Sequence, residues 1–113
     1  MARGQADPRE QPAVRHLSRR VSWEQIVQAV ESVKGEGWAT FRDRHGDWGR
    51  DVALWLGRRR GRLTLRELAQ RAGGLDYSTA GAAVSRTARR LGRDSRLRRE
   101  VERIERQLSN VEM

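Results

Sequence analysis

From residue 21 onward the apolar positions recur at intervals of three and four, the period of helices packed on one side. Ser22, Trp23, Glu24 and Gln25 form a capping-box pattern, in which a hydroxyl and an amide each satisfy a free backbone group at a helix start. Trp23, Ile26, Val27, Val30 and Val33 then fall on one helical face, and Lys34 with Gly35, Glu36 and Gly37 ends the run. Trp38 to Phe41 is expected as a short turn that feeds apolar groups back to the core. Asp47 is the next N-cap candidate, before a helix carrying Trp48, Val52, Trp55 and Leu56 and stopping in the basic run 58–62. Thr64, Leu65, Arg66 and Glu67 repeat the capping box, and Leu65, Leu68, Ala69 and Ala72 give a short amphipathic helix closed by Gly73 and Gly74. A helix over about 76–91 follows, with an expected inner stripe of Ala80, Val84, Thr87, Ala88 and Leu91. Its outer face would carry Ala82, Ser85, Arg86, Arg89 and Arg90. Gly92 breaks it, Asp94 can cap again, and Leu97, Val101, Ile104 and Leu108 predict a last amphipathic helix over about 94–110. The pattern therefore predicts an all-α bundle of about five to six helices.

Residues 1–20 mix Pro, Gly, Gln and charge with hardly any large apolar side chain, so burial there cannot offset chain entropy, and a flexible basic arm is expected before a single domain over 21–110. A chain of 113 residues has room for one small core. Its formal net charge of +9 selects polyanionic partners. Lys34 is the only lysine, so the positive charge is almost wholly guanidinium, the group suited to bidentate phosphate and guanine contacts. With no cysteine, disulfides and thiolate metal sites are excluded, and no cofactor is expected. No apolar run approaches the roughly 18 residues that span a bilayer, so no membrane partner is expected and the chain reads as cytoplasmic.

The segment 65–90 supplies what a helix-turn-helix needs to bind DNA. It has a short first helix, a glycine turn that fixes the crossing angle, and a second helix whose outer face is small and polar enough to enter the major groove. Gly81 and Ala82 allow close approach to base edges, and Ser78 and Thr79 can donate to phosphates or bases. Packing of Gly81 and Ala82 on a neighbouring helix, with the arginines as a solvated face, is the plainer alternative. The order of elements resembles the C-terminal DNA-binding domain of the bacterial replication initiator DnaA, a fold related to the Trp repressor. The likeness is carried by Ala53-Leu54-Trp55-Leu56, Arg58, Leu63-Thr64-Leu65-Arg66-Glu67-Leu68, Gly73-Gly74, Asp76-Tyr77-Ser78-Thr79 and Arg86. The segments Asp47 to Asp51, Leu75-Asp76-Tyr77 and Leu108 to Glu112 are similar to the version of that domain found at the C-terminus of REP-associated, HUH-type tyrosine transposases.

The resemblance implies double-stranded DNA as the partner. It implies that Asp76, Tyr77, Ser78 and Thr79, with Ala82, read the major groove at the start of the recognition helix. The loop carrying Arg42, Arg44 and His45 would enter the minor groove, favouring narrow A·T-rich segments through their negative potential. Arg50 and Arg58 would contact phosphates at the two ends of the intervening helix, joined by Arg59, Arg60, Arg62, Arg86, Arg89 and Arg90. A nucleoid-associated protein follows from this reading.

Catalysis is not expected. An HUH transposase needs two histidines around one bulky apolar residue, whereas His16 and His45 stand far apart; no GxxxxGK[ST] loop is present either. Tyr77, the only tyrosine, belongs to the recognition helix, and the tryptophans Trp23, Trp48 and Trp55 belong to apolar stripes. Two other readings stay open at this stage. One is a module for hairpin or single-stranded nucleic acid. The other is a protein-interaction domain whose C-terminal helix dimerises or docks on a transposase catalytic domain or another protein. A monomer or weak dimer fits all three.

Overall fold

A computed structural model describes residues 20–112, with the side chains from Asn110 onward left undescribed. The expected arm over 1–20, His16 included, lies outside the described residues except for Arg20. Six helices make up the described chain: α1 (Trp23–Lys34), α2 (Trp38–Phe41), α3 (Trp48–Arg59), α4 (Leu65–Arg71), α5 (Tyr77–Leu91) and α6 (Ser95–Glu112). The fold is all-α, and no described helix is long and apolar enough to cross a membrane.

Four of the six helices, α1, α3, α4 and α6, begin on a side chain that caps them. Ser22 Oγ accepts from the Gln25 N–H while the Gln25 side chain accepts from the Ser22 N–H, and Thr64 and Glu67 make the same reciprocal pair. Glu67 is thereby held below its usual carboxylate range, chiefly by the N–H of Thr64. Asp47 accepts from Gly49 N–H at 2.7 Å at the head of α3, and Asp94 accepts from Leu97 N–H at 3.0 Å at the head of α6. Thr64→Ala removes one of these boxes and is expected to cost about 1 kcal/mol, read as a lowered urea midpoint at unchanged slope.

α3 is the central element. It packs most extensively on α5 and also against α1 and α4, while α6 lies along α1. Its surroundings explain why Ala53, Leu54 and Gly57 are buried beside the expected Val52 and Leu56, leaving Trp48 and Trp55 only partly covered. Residues 38–41, expected as a turn, close one helical turn instead, with Phe41 fully buried. Glu31 supports that turn by accepting from Trp38 N–H at 2.7 Å. One register differs from expectation. On α5 the buried positions are Ala80, Ala83 and Thr87, whereas Ala88, expected inside, is exposed. Two alanines are interchangeable by size, and the direction in which α5 crosses α3 decides between them.

The apolar stripe of α6 is consumed within the domain. Leu97, Val101, Ile104 and Leu108 are all buried, and Gln107 Nε2 donates to Ser32 Oγ on α1 at 3.1 Å. Among the described residues of this helix, no apolar seam is left open to a second copy.

Candidate nucleic-acid interface

α5 is launched by a sharp turn. Gly73 and Gly74 take φ of +101° and +82°, a region that glycine enters without steric cost, and the N–H groups of Gly74 and Leu75 both donate to the Ala69 carbonyl at 3.0 and 2.9 Å. With α5 seated on α3 and α4 through Ala80, Ala83 and Thr87, its opposite side faces outward. Ser78, Ala82, Ser85 and Arg89 follow one another at four-, three- and four-residue steps, so they form one line, and all four are exposed. The first three are small enough to let the helix backbone approach a surface closely. Ser85 was not among the expected contact residues, although the spacing from Ser78 identifies it.

The four expected reading residues divide. Asp76 occupies the N-cap position, but its carboxylate makes no capping bond and stays exposed, available as an acceptor. Tyr77 is 58% exposed, the only large apolar side chain so placed among the described residues, and the Arg66 guanidinium lies 6.0 Å from its ring centre. Ser78 is exposed, whereas Thr79 is half-buried on the flank.

The basic residues fall into two groups at opposite ends of α3, a helix of 12 residues that spans about 18 Å. At its N-terminal end, a groove of about 590 Å³ gathers Arg44, His45, Arg50, Arg86 and Arg90 with Arg93 and the partly covered Trp48. Carboxylates hold most of these cations. Arg44 bridges Glu36 at 2.8 Å and Asp47 at 3.0 Å, Arg86 meets Asp51 at 3.0 Å, and Arg90 meets Asp94 at 3.0 Å. Arg42 binds Asp43 at 2.8 Å beside the Gly73 turn, and this hydrogen bond depresses the Asp43 carboxyl. His45 stays exposed at the loop tip, next to Gly46 with φ of +80°.

Beneath the loop lies a buried ionic hub. Lys34 Nζ sits 2.9 Å from Asp47 Oδ1, both side chains are 6% exposed, and the ammonium lies over the rings of Phe41 and Trp48 at 4.8 and 4.6 Å. Asp47 thus receives Lys34, Arg44 and the Gly49 N–H together. Burial works against its ionised form, but these hydrogen bonds and the two cations outweigh it, and its pKa is lowered.

At the other end of α3 the expected phosphate contacts also differ among themselves. Arg58 donates to the Leu63 carbonyl at 3.0 Å and remains exposed, and Arg59 lies over the Trp55 ring at 5.3 Å. Arg60, the C-cap residue of α3, is half-buried and its guanidinium is bound to Glu105 of α6, tying the end of α3 to that helix. Arg62 is exposed without a carboxylate partner, in the left-handed region at φ 57°. Gly61 beside it is buried against the carbonyls of Gly57 and Val21, where a Cβ would stand 2.9 and 3.2 Å from the two oxygens. Among the described residues, no group of three or more His, Cys, Asp or Glu side chains is placed to hold a metal ion.

The geometry defines an all-α protein with an exposed, small-residue helix face flanked by arginine clusters. Comparison of the chain with family models, with curated proteins and with solved structures finds no match.

Proposed function

We propose that this protein binds double-stranded DNA through a helix-turn-helix formed by α4, the Gly73–Gly74 turn and α5, without catalysing a reaction. The observation that carries the reading is the exposed line Ser78–Ala82–Ser85–Arg89, opposite a buried helix face and preceded by the uncommitted carboxylate of Asp76. In this reading α5 lies in the major groove. Asp76 accepts from a cytosine amino group, Ser78 and Ser85 meet base edges or phosphates, and Tyr77 supplies an apolar contact for a thymine methyl. Arg62 and Arg89, which have no carboxylate partner, neutralise phosphates, and Arg58 joins them. The loop from Arg42 to His45 lies over the neighbouring minor groove, its arginines exchanging Asp43, Glu36 and Asp47 for DNA. The DnaA-like resemblance, a role beside a transposase or in replication, and a place on the nucleoid belong to the same proposal.

Anisotropy titrations against a selected duplex and a randomised duplex, over a range of salt, test it. Asp76→Ala is expected to reduce the affinity ratio between the two probes by about 1–3 kcal/mol without altering the salt slope. Arg62→Gln and Arg89→Gln should each flatten that slope by roughly 0.9 and weaken both probes alike. Arg60→Gln, by contrast, should leave the slope unchanged. Equal binding of both probes by the unaltered protein, or tighter binding of a hairpin than of its duplex, would defeat the proposal.

A further inference from the structure

We infer that the outer face of α6 is a second polyanion-binding surface, one that grips a nucleic-acid backbone without regard to sequence. Arg96, Arg99, Arg103 and Arg106 follow at three-, four- and three-residue steps, so they share one side of α6, opposite the buried Leu97, Val101, Ile104 and Leu108. Arg96, Arg99 and Arg106 have no carboxylate partner, and Arg103 reaches only Glu100 of its own helix, at 3.4 Å with the side chain 56% exposed. This contrasts with the arginines of the groove, where Arg44, Arg86 and Arg90 each meet a carboxylate. Glu102 stands at the edge of the stripe, exposed, and is in ion-pair contact with none of its members.

Like charges at these spacings repel along a helix. The stripe holds three such adjacent pairs, so the isolated domain is better off without it, and the arrangement gains only when something neutralises it. Four guanidinia over ten residues cover about 15 Å, and one strand of duplex presents a phosphate about every 3.4 Å along the axis. The stripe therefore faces roughly four phosphates of one strand. An anionic bilayer is the competing class of polyanion. Against it, the apolar side of α6 is already buried, and the single exposed large apolar side chain among the described residues, Tyr77, lies on α5. Among the described side chains of this helix, no large apolar one is left exposed to insert among lipids.

The surface is distinct from the reading line of α5 and does not depend on it. The test uses the full chain, a random-sequence duplex and vesicles of phosphatidylcholine with phosphatidylserine. Changing Arg96, Arg99, Arg103 and Arg106 together to glutamine keeps helix propensity and removes the repulsion. The expected result is a salt slope flatter by about 3–4 on the random duplex, an unchanged preference for a selected duplex, and a melting temperature equal to or above that of the parent. An unchanged slope overturns the inference, as does a loss of vesicle binding with duplex binding intact. Glu102→Gln supplies a second readout: it should tighten binding to the random duplex severalfold, and no change or weakening counts against the surface. Failure of the α5 reading alone would appear differently, as discrimination left unchanged by Asp76→Ala while the quadruple variant still flattens the slope.

Discussion

Replacing Lys34 with methionine is expected to cost about 3 kcal/mol, near the lower end of the roughly 3–5 kcal/mol typical of breaking a buried ion pair. The change leaves the Asp47 carboxylate, 6% exposed, with Arg44 and one backbone N–H as its remaining donors. Arg44 compensates in part, which places the effect at that lower end. For a domain of this size the loss corresponds to a fall in melting temperature on the order of 15 °C. Asp47→Asn keeps an oxygen to cap α3 but strands the buried ammonium, so it should cost a comparable amount. The double variant Lys34→Met with Asp47→Asn should lose much less than the sum, because neither charge is then stranded. Single costs below about 1 kcal/mol would show that the pair behaves like a surface bridge. The sign of the pH dependence follows from the lowered pKa of Asp47. Its stabilising share is complete above the ordinary aspartate value of about 3.9 and is lost as pH falls through the lower folded value. Acid unfolding of the parent should therefore steepen below about pH 4, and the Asp47→Asn variant should lack that component.

A second large effect is expected from Ile104→Ala, which empties a fully buried position on the apolar stripe of α6. Truncations of this kind cost about 2–5 kcal/mol, and thermal or urea melts will read the loss directly. The companion measurement is the concentration dependence of the parent's melting temperature. Because the stripe of α6 is filled by its own domain, the midpoint should stay constant over a hundredfold range. A dimer held by that stripe would instead melt at higher temperature as concentration rises.

Local features of the sequence translated into structure with little loss. Both capping boxes, the Asp47 and Asp94 caps and the four apolar positions of α6 were legible because each depends on residues a few positions apart. The central helix was harder to read. α3 is surrounded, so Ala53 and Leu54 are buried off the stripe defined by Trp48, Val52, Trp55 and Leu56, and a one-sided pattern undercounts them. Ala83 and Ala88 could not be separated by size, and four residues are too few for a period to announce α2. The basic face was the least legible part. Arginine positions are obvious in the sequence, but their partners are not: Glu105 is 45 residues from Arg60, and Asp51 is 35 from Arg86. Which cations stay available for a ligand is decided by those distant pairings.

The burial of Lys34 has a consequence for how this charge can be controlled. As the single lysine of the chain, it lies beneath the loop against Asp47 and two aromatic rings, beyond the reach of an acetylating enzyme while the domain is folded. Every other basic side chain that is charged at neutral pH is an arginine, protonated at any pH a cell reaches. Acylation, the usual chemical dimmer of a cationic surface, has no exposed side-chain amine to act on in the folded domain, so the charge of this arginine face does not answer to that modification.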